Sequence, residues 1–581
     1  MNSNDTRTKI DPVFYWVLGI LLIFIVVGIS APARLEAITA AAQAFIADRF
    51  GWYYLIVVTF FLLVCLFFIF SPYGKIRLGK DEDRPEYSYL TWFAFLFSAG
   101  LGVGLLFFGA AEPIAHYAVS SPTVEEGTGA AALESMKYVF LHWGFHGWAI
   151  YAIVAICLAY FNFRKEQPGL ISAALSPLIN PNGFFGKTID VIAIIATLSG
   201  IATTLGFGAA QMNGGISFLT NLENSFMLQL AIIVVITVLF LISASTGLDK
   251  GIRILSIVNM TLVVLMLLFF AVFGATMYSL NLFTNTLGQY IQSLPELSFT
   301  IAPNSAEHRA WINAWTLFYW AWWMAWSPYV GTFIARVSRG RTLREFVIGV
   351  LLVPSLLGFV WFSFLGGTSI AAESSGAAAI STLADEEMLF GVLSTMPFST
   401  ITSFITIFLI AVFFITSADS ATFVLGSQST KGSLNPANKI KITWGLLMSA
   451  TAAVLLYSGG LQALQNTMIV VAFPFSIIIV LMVISLLKAL RQERLKEQVK
   501  ERRLRRELVE LRNFKNKHER EEKKRLKQEQ KKTAQTCRAK KQSSENQTTK
   551  KERLTIDTDK PSPIKQRPAF AGLHFIFKSL K

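Results

Sequence analysis

Charge is what this sequence lacks most: 15% of its 581 residues are Asp, Glu, Lys or Arg, against 53% hydrophobic. Soluble domains carry about 25% charged residues, so the deficit excludes an ordinary water-facing surface and makes lipid the main solvent. The charge that exists is unevenly placed. From Arg491 to Lys581 there are 29 Lys and Arg against 13 Asp and Glu. That net of +16, in a chain totalling +15, leaves about −1 for everything before it. The basic character belongs to a tail, so a nucleic-acid partner is not expected for the body. Cysteine is nearly absent too. Cys65, Cys157 and Cys537 fall in two apolar spans and the tail, and form no disulfide framework. A nucleotide-binding loop is also missing. Asn182-Gly183-Phe184-Phe185-Gly186-Lys187-Thr188 ends like one, but Pro181 stands where the first glycine is required, and no βαβ context surrounds it. This argues against an ATP-driven pump, and no catalytic residue set is expected.

What the chain has is long apolar runs. A bilayer core needs roughly 20 apolar residues per helix. On that basis spans are predicted near 13–29, 53–70, 90–110, 137–161, 188–216 and 228–244. Six more are predicted near 255–276, 310–335, 344–366, 400–424, 441–457 and 463–488. Ala31-Pro32-Ala33 has the look of a weak cleavage site, but the first run is too long for a signal-peptide core and reads as an uncleaved helix. The expected fold is therefore an all-α membrane protein of twelve transmembrane helices. Residues 1–12 form the N-terminus, 13–489 the transporter domain and 490–581 the basic tail.

The connections test the count. Even-numbered ones carry cations: Lys75, Arg77, Lys80 and Arg84; Arg164, Lys165 and Lys187; Lys250 and Arg253; Arg336, Arg339, Arg341 and Arg344; Lys431, Lys439 and Lys441. Odd-numbered ones are bare or acidic, as at Glu125 and Glu126, or Glu373, Asp385, Glu386 and Glu387; Arg34 and Arg49 are the exceptions. Positive loops stay in the cytoplasm, which places both termini inside. In the tail, Leu495, Val499, Leu504, Leu508 and Leu511 recur at near-helical spacing among charges, predicting an amphipathic helix to about residue 532. The Thr, Ser, Asn, Gln and Pro that follow, to about 568, predict disorder.

Chemistry concentrates in four runs. Trp320-Ala321-Trp322-Trp323-Met324-Ala325-Trp326-Ser327-Pro328 lies well inside a span, too deep for an interfacial belt. On a helix, Trp322, Trp323 and Trp326 share an arc of about 100°, with Trp320 nearly opposite. Trp143, Trp148 and Tyr151 form a second aromatic arc, with His142 and His146 on the other side. Aromatic faces suit a quaternary ammonium, which cannot donate hydrogen bonds. The two histidines could bind metal at their spacing, but no third ligand is evident, so a packing or polar-network role is expected. Ser98-Ala99-Gly100-Leu101-Gly102-Val103-Gly104 weakens its helix. Small residues often serve only close packing, yet unwound backbone in a membrane is tolerated where it lines a cavity. Thr416-Ser417-Ala418-Asp419-Ser420 offers hard oxygens that either back-bond to the helix or hold a cation, and Asp419 is expected to be functional or paired.

The stretch from Tyr319 to Phe346, YWAWWMAWSPYVGTFIARVSRGRTLREF, resembles the signature of the betaine/carnitine/choline transporter family, and the similarity runs from about residue 10 to 490. The resemblance implies two inverted five-helix repeats, spans three to seven and eight to twelve, preceded by two extra helices. It implies an aromatic box of Trp143, Trp148, Tyr151 and Trp323, with Trp326 toward the cytoplasmic exit. It also implies one sodium site at Ser98, Leu101, Thr416 and Ser417, and a second at Thr204, Thr203 and the ring of Tyr329, a position where the family commonly has Phe. No cofactor is implied beyond Na⁺ as coupling ion, and a homotrimer follows by analogy.

Proton-coupled choline carriers of the family tend to place an acid where this chain has Gly104, so no carboxylate is expected to neutralise a bare cation in the pocket. Glycine betaine brings its own carboxylate, which can meet backbone N–H groups around Gly100, Gly102 and Gly104. The expected activity is Na⁺-coupled import of glycine betaine for osmoprotection, across a bacterial inner membrane, with the tail on anionic lipid. Ectoine, proline betaine and carnitine stay open as substrates. The alternatives are an H⁺-coupled choline or carnitine carrier, or a channel or sensor signalling through its tail.

Overall fold

The computed structural model describes residues 10–100, 102–220, 222–246 and 249–551, with side chains at 98–100, 249–253 and 545–551 outside the described set. No strand occurs among the described residues; the one isolated bridge joins Arg77 to Thr342. Two compact units divide between Gln492 and Glu493.

The first unit is a helix bundle: α1 Pro12–Ser30, α2 Pro32–Phe70, α3 Tyr89–Gly100, α4 Val103–Ile114, α5 Gly129–Trp143, α6 Phe145–Ala159, α7 Phe184–Thr220 and α8 Phe226–Thr246. It continues with α9 Asp249–Phe273, α10 Thr276–Phe299, α11 Ala306–Ala314, α12 Thr316–Val337, α13 Leu343–Ser374, α14 Met388–Ser394, α15 Ser399–Gln428 and α16 Asn438–Lys551. Starts follow local chemistry. Asp11 caps α1 through Val13 N with Pro12 behind it, and Thr342 with Glu345 forms a reciprocal capping box on α13. Nine helices among the described residues are long and apolar enough to cross a membrane. The protein is an all-α, multi-pass membrane protein.

Two predicted spans are broken in the middle. Span three splits into α3 and α4 across the glycine run, as its composition implied, with Gly102 at φ −127°, ψ −144°. Span four splits at Gly144 (φ −97°, ψ −143°), a break the sequence reading passed over because one glycine between His142-Trp143 and Phe145 carries no signal of its own. The last two spans form one helical run interrupted at Gly459 and Gly460, where Gly460 takes φ 61°, a left-handed value that favours glycine. One further helix, α10, was not anticipated. It buries Ser279, Leu282, Thr286 and Tyr290, a single face at helical spacing, and is too polar to read as a span.

Several of the cation-bearing connections touch one another. Leu78 and Gly340 to Arg341 exchange backbone hydrogen bonds of 2.8 Å, Arg164 pairs with Asp81 at 2.8 Å, and Asp11 N donates to Ser429 O at 3.0 Å. The acidic connections meet elsewhere, with Asn224 Nδ2 donating to Glu386 Oε1 at 2.9 Å and Arg309 Nη2 to Asp48 O at 3.1 Å.

In the second unit, the helix continues to Lys551 rather than stopping near 532. No glycine or proline occurs between Pro474 and Pro561, so nothing in the sequence terminates it there. Leu504, Leu508 and Leu511 are exposed along it, and Arg503 pairs with Glu507 at 3.2 Å. The rest of the expected disordered segment lies outside the described residues.

Candidate substrate cavity

The two broken spans and the proline-bearing α12 converge on one cavity. α12 stays helical through Pro328 because Ser327 Oγ donates to Met324 O at 2.7 Å, taking up the carbonyl that a proline leaves without its usual N–H. This helix presents Trp322, Trp323 and Trp326 to a small cavity also lined by Gly102, Gly104, Trp143, Tyr151 and Thr204. Trp320, on the opposite face, packs on His146 at 5.4 Å and takes no part. The helical-face argument thus separates the four tryptophans correctly.

Glycine makes room for the rings. A Cβ on Gly104 would come within 2.3 Å of Trp322 Cη2 and 3.1 Å of Trp143 Cη2. A Cβ on Gly147 would reach Trp323 Cε2 at 2.3 Å. The rings are also tethered. Trp323 Nε1 donates to His142 O at 2.9 Å, Trp326 Nε1 to Gly200 O at 2.8 Å, and Trp143 Nε1 to Glu112 Oε2 at 2.8 Å. Tyr151 meets the Trp323 ring at 4.6 Å and Trp148 meets Tyr151 edge-on at 5.7 Å. Trp148 touches both of those rings but stands behind the lining, and Trp322, absent from the expected box, stands in it. Beyond Trp322, Phe108, Phe207 and Phe318 pack ring on ring and close that end. At the other end, Trp326 meets Tyr329 edge-on at 5.6 Å, and Tyr329 lines a further cavity with Asp419, Ser420 and Arg336.

α4 starts at the cavity; Leu105 N donates to Gly102 O at 3.1 Å, while the N–H groups of Val103 and Gly104 precede the first intrahelical bond and carry the positive end of the helix dipole. The cavity therefore offers ring faces at one side and backbone donors at the other.

The expected cation ligands are less well gathered. The side chain of Ser98, near the end of α3, lies outside the described set, and Leu101 is outside it altogether. Thr416 Oγ1 back-bonds to Val412 O at 2.9 Å, and Ser417 is half-buried beside it. Thr203 and Thr204 are buried; Thr203 reaches Leu464 O at 3.5 Å, and Thr204 reaches Gly200 O at 3.3 Å while lining the cavity. Asp419 is buried and accepts from Ser243 Oγ at 2.9 Å.

Around the histidines the structure corrects the sequence reading. His142 has polar neighbours beyond His146, and they come from the end of span three. Glu112 Oε1 lies 2.6 Å from His142 Nδ1 and 3.4 Å from His116 Nε2, and Glu112 Oε2 also accepts from the Tyr319 hydroxyl. His142 Nε2 meets Thr316 Oγ1 at 3.0 Å, while His146 Nε2 meets Ser298 Oγ at 3.0 Å. Both ring nitrogens of His142 are thus engaged, and ligand atoms of Glu112, His116 and His142 lie within 4.8 Å of one another, so a third potential ligand stands beside His142 that the sequence spacing did not show. A carboxylate stands behind the cage, outside the cavity lining, on the far side of Trp143. Glu112 precedes Pro113 just past the predicted end of the span, where it read as loop.

Comparison with known proteins agrees with this architecture. Residues 12–495 match the betaine/carnitine/choline (BCCT) family of transporters. The chain is 55% identical over 486 residues to the glycine betaine transporter of Bacillus subtilis, covering 83% of this chain and 95% of that one. It is 41% identical over 490 residues to an ectoine/hydroxyectoine transporter of Virgibacillus pantothenticus, covering 84% and 97%. It is 37% identical over 492 residues to a glycine betaine/proline/choline transporter of Vibrio parahaemolyticus, covering 81% and 88%. Family and fold together make it a membrane transporter and not an enzyme: the chain belongs to the betaine/carnitine/choline transporter family.

Proposed function

We propose that this carrier is a Na⁺-coupled symporter that imports glycine betaine by alternating access around the tryptophan cavity, for osmoprotection. The observation that carries the reading is the pairing of aromatic faces from Trp143, Tyr151, Trp322 and Trp323 with the broken backbone at Gly102–Gly104. A trimethylammonium group is held by ring faces, and its own carboxylate is met by the N–H groups that open α4. The relatives named for glycine betaine support that choice of zwitterion. Twelve spans, arranged as two inverted repeats after two leading helices, agree with the broken helices and with the contacts among the cation-bearing connections. Those connections lie on the cytoplasmic side of a bacterial inner membrane, with both termini inside. Na⁺ is held by Ser98, Leu101, Thr416 and Ser417, and by Thr203, Thr204 and Tyr329. The carrier works as a homotrimer, and its tail lies on anionic lipid.

One observation favours the rival H⁺-coupled cation carrier: the Glu112 carboxylate against Trp143. Liposomes holding the purified carrier separate the two. An inward Na⁺ gradient should concentrate labelled glycine betaine above the external level; full accumulation driven by a proton gradient alone would reject the Na⁺ assignment.

A further inference from the structure

The buried group that the symport reading leaves unused is Glu112. It lies on α4 with no exposure to solvent, and its contacts are to donors. Oε2 accepts from Trp143 Nε1 at 2.8 Å and from the Tyr319 hydroxyl; Oε1 faces His142 Nδ1 at 2.6 Å. Accepting from several donors at once is the pattern of an ionised carboxylate. One neutral tautomer of His142 satisfies its own contacts, with Nδ1–H donating to Glu112 and Nε2 accepting from Thr316 Oγ1. His116, whose Nε2 lies 3.4 Å from Glu112 Oε1, is fully buried with neither ring nitrogen hydrogen-bonded; with it neutral as well, the unit keeps a net negative charge.

That charge is wired to the cage through one ring. Trp143 holds Glu112 by its nitrogen edge, while its far edge, Cη2, approaches Gly104 at the cavity wall. A charge-assisted N–H···O⁻ bond fixes the ring plane and enriches the indole in electron density, and in a water-poor interior its field is weakly screened. The same unit sets the neighbouring ring, because the carbonyl that receives Trp323 Nε1 belongs to His142.

We propose that Glu112 is a specificity-determining positioning residue: through Trp143 it makes the cage select a fixed positive charge over a neutral group of the same shape. This rests on the cavity being the quaternary-ammonium site.

The test is equilibrium binding to the full-length carrier in nanodiscs, followed by tryptophan fluorescence. The probes are glycine betaine and 3,3-dimethylbutanoate, which replaces the ammonium nitrogen by carbon. Glu112→Gln should weaken glycine betaine about tenfold, the order expected of one charge a ring away at intermediate dielectric, and leave the carbon analogue within about twofold. Equal losses for both probes, or none for either, would overturn the proposal. Glu112→Asp, which keeps the charge and draws it back by one methylene, should preserve the wild-type selectivity within about threefold. A collapsed ratio in that variant would also overturn it, whether or not Glu112→Gln yields folded carrier. If the wild type itself binds the two probes equally, the ammonium-cage reading fails, a result distinct from a large ratio that ignores Glu112.

Discussion

Gly147 and Trp323 are packed so closely that a single added carbon cannot fit between them: a Cβ on Gly147 would fall 2.3 Å from Trp323 Cε2. The ring that best defines the cage is seated on bare backbone of α6, a helix whose neighbour across the Gly144 break supplies Trp143. The first prediction follows from this contact. Gly147→Ala should push Trp323 out of register and raise the glycine betaine concentration for half-maximal uptake by at least tenfold. Gly288→Ala, where an added Cβ would meet no packing neighbour within 4 Å, should leave uptake unchanged. An unaffected Gly147→Ala carrier would mean that Trp323 is free to move.

The second prediction concerns the ring itself. Trp323→Leu keeps bulk and removes the quadrupole, so it should cost about 2 kcal/mol of binding, or roughly thirtyfold in affinity. Trp320→Leu faces His146 and should lower thermal stability more than affinity. Equal binding losses at the two positions would contradict the facing described above.

A third variant tests the subtype. Gly104→Asp imitates the acid of the choline carriers, but the new side chain meets Trp322 Cη2 and Trp143 Cη2. Alone it should abolish glycine betaine uptake without admitting choline. Paired with Trp322→Leu, which clears space, it should admit some choline with increased proton dependence. Choline uptake by the single variant would show that Trp322 yields readily.

Ion coupling gives a fourth. Ser417→Ala removes a hard oxygen and should raise the Na⁺ concentration for half-maximal uptake while leaving glycine betaine affinity at saturating Na⁺ intact. Thr416 back-bonds to its own helix, so Thr416→Ala discriminates the two roles weighed for that hydroxyl. An unchanged Na⁺ curve in both variants would remove this pair from the coupling site.

Fifth, truncation after Gln492 removes the second unit and should preserve basal uptake while flattening its rise with external osmolality. Lys and Arg on anionic lipid contribute about 1 kcal/mol each, an attraction that weakens as internal salt rises. An unchanged activation curve would reduce the tail to a solvated helix.

How far the sequence carried this picture depended on whether a signal was local. Trp322, Trp323 and Trp326 lie within one helix, so spacing alone put them on one face, and the structure lines the cavity with all three. The glycine run announced its own unwinding between α3 and α4. Glu112 could not be read in the same way. Its meaning lies in Trp143 and Tyr319, 31 and 207 positions away, and no periodicity links an acid before a proline to a tryptophan on another helix. The break at Gly144 was hidden for a related reason. A Cβ there would meet Phe140 O at 2.3 Å and the ring of Phe359 on α13 at 2.8 Å, and the second of these neighbours leaves no mark in the local sequence.

The tethering of the rings has a consequence for the tempo of transport. Trp143, Trp323 and Trp326 each donate an indole N–H to a fixed acceptor, so they have few rotamers left to lose when a ligand arrives. Filling such a cage costs little side-chain entropy, which favours binding before any helix moves. The same stiffness denies the ligand an exit by ring flipping on the nanosecond scale. Release must wait for collective motion of helices, in the microsecond-to-millisecond range, pivoting where the backbone is already parted at Gly102 and Gly144.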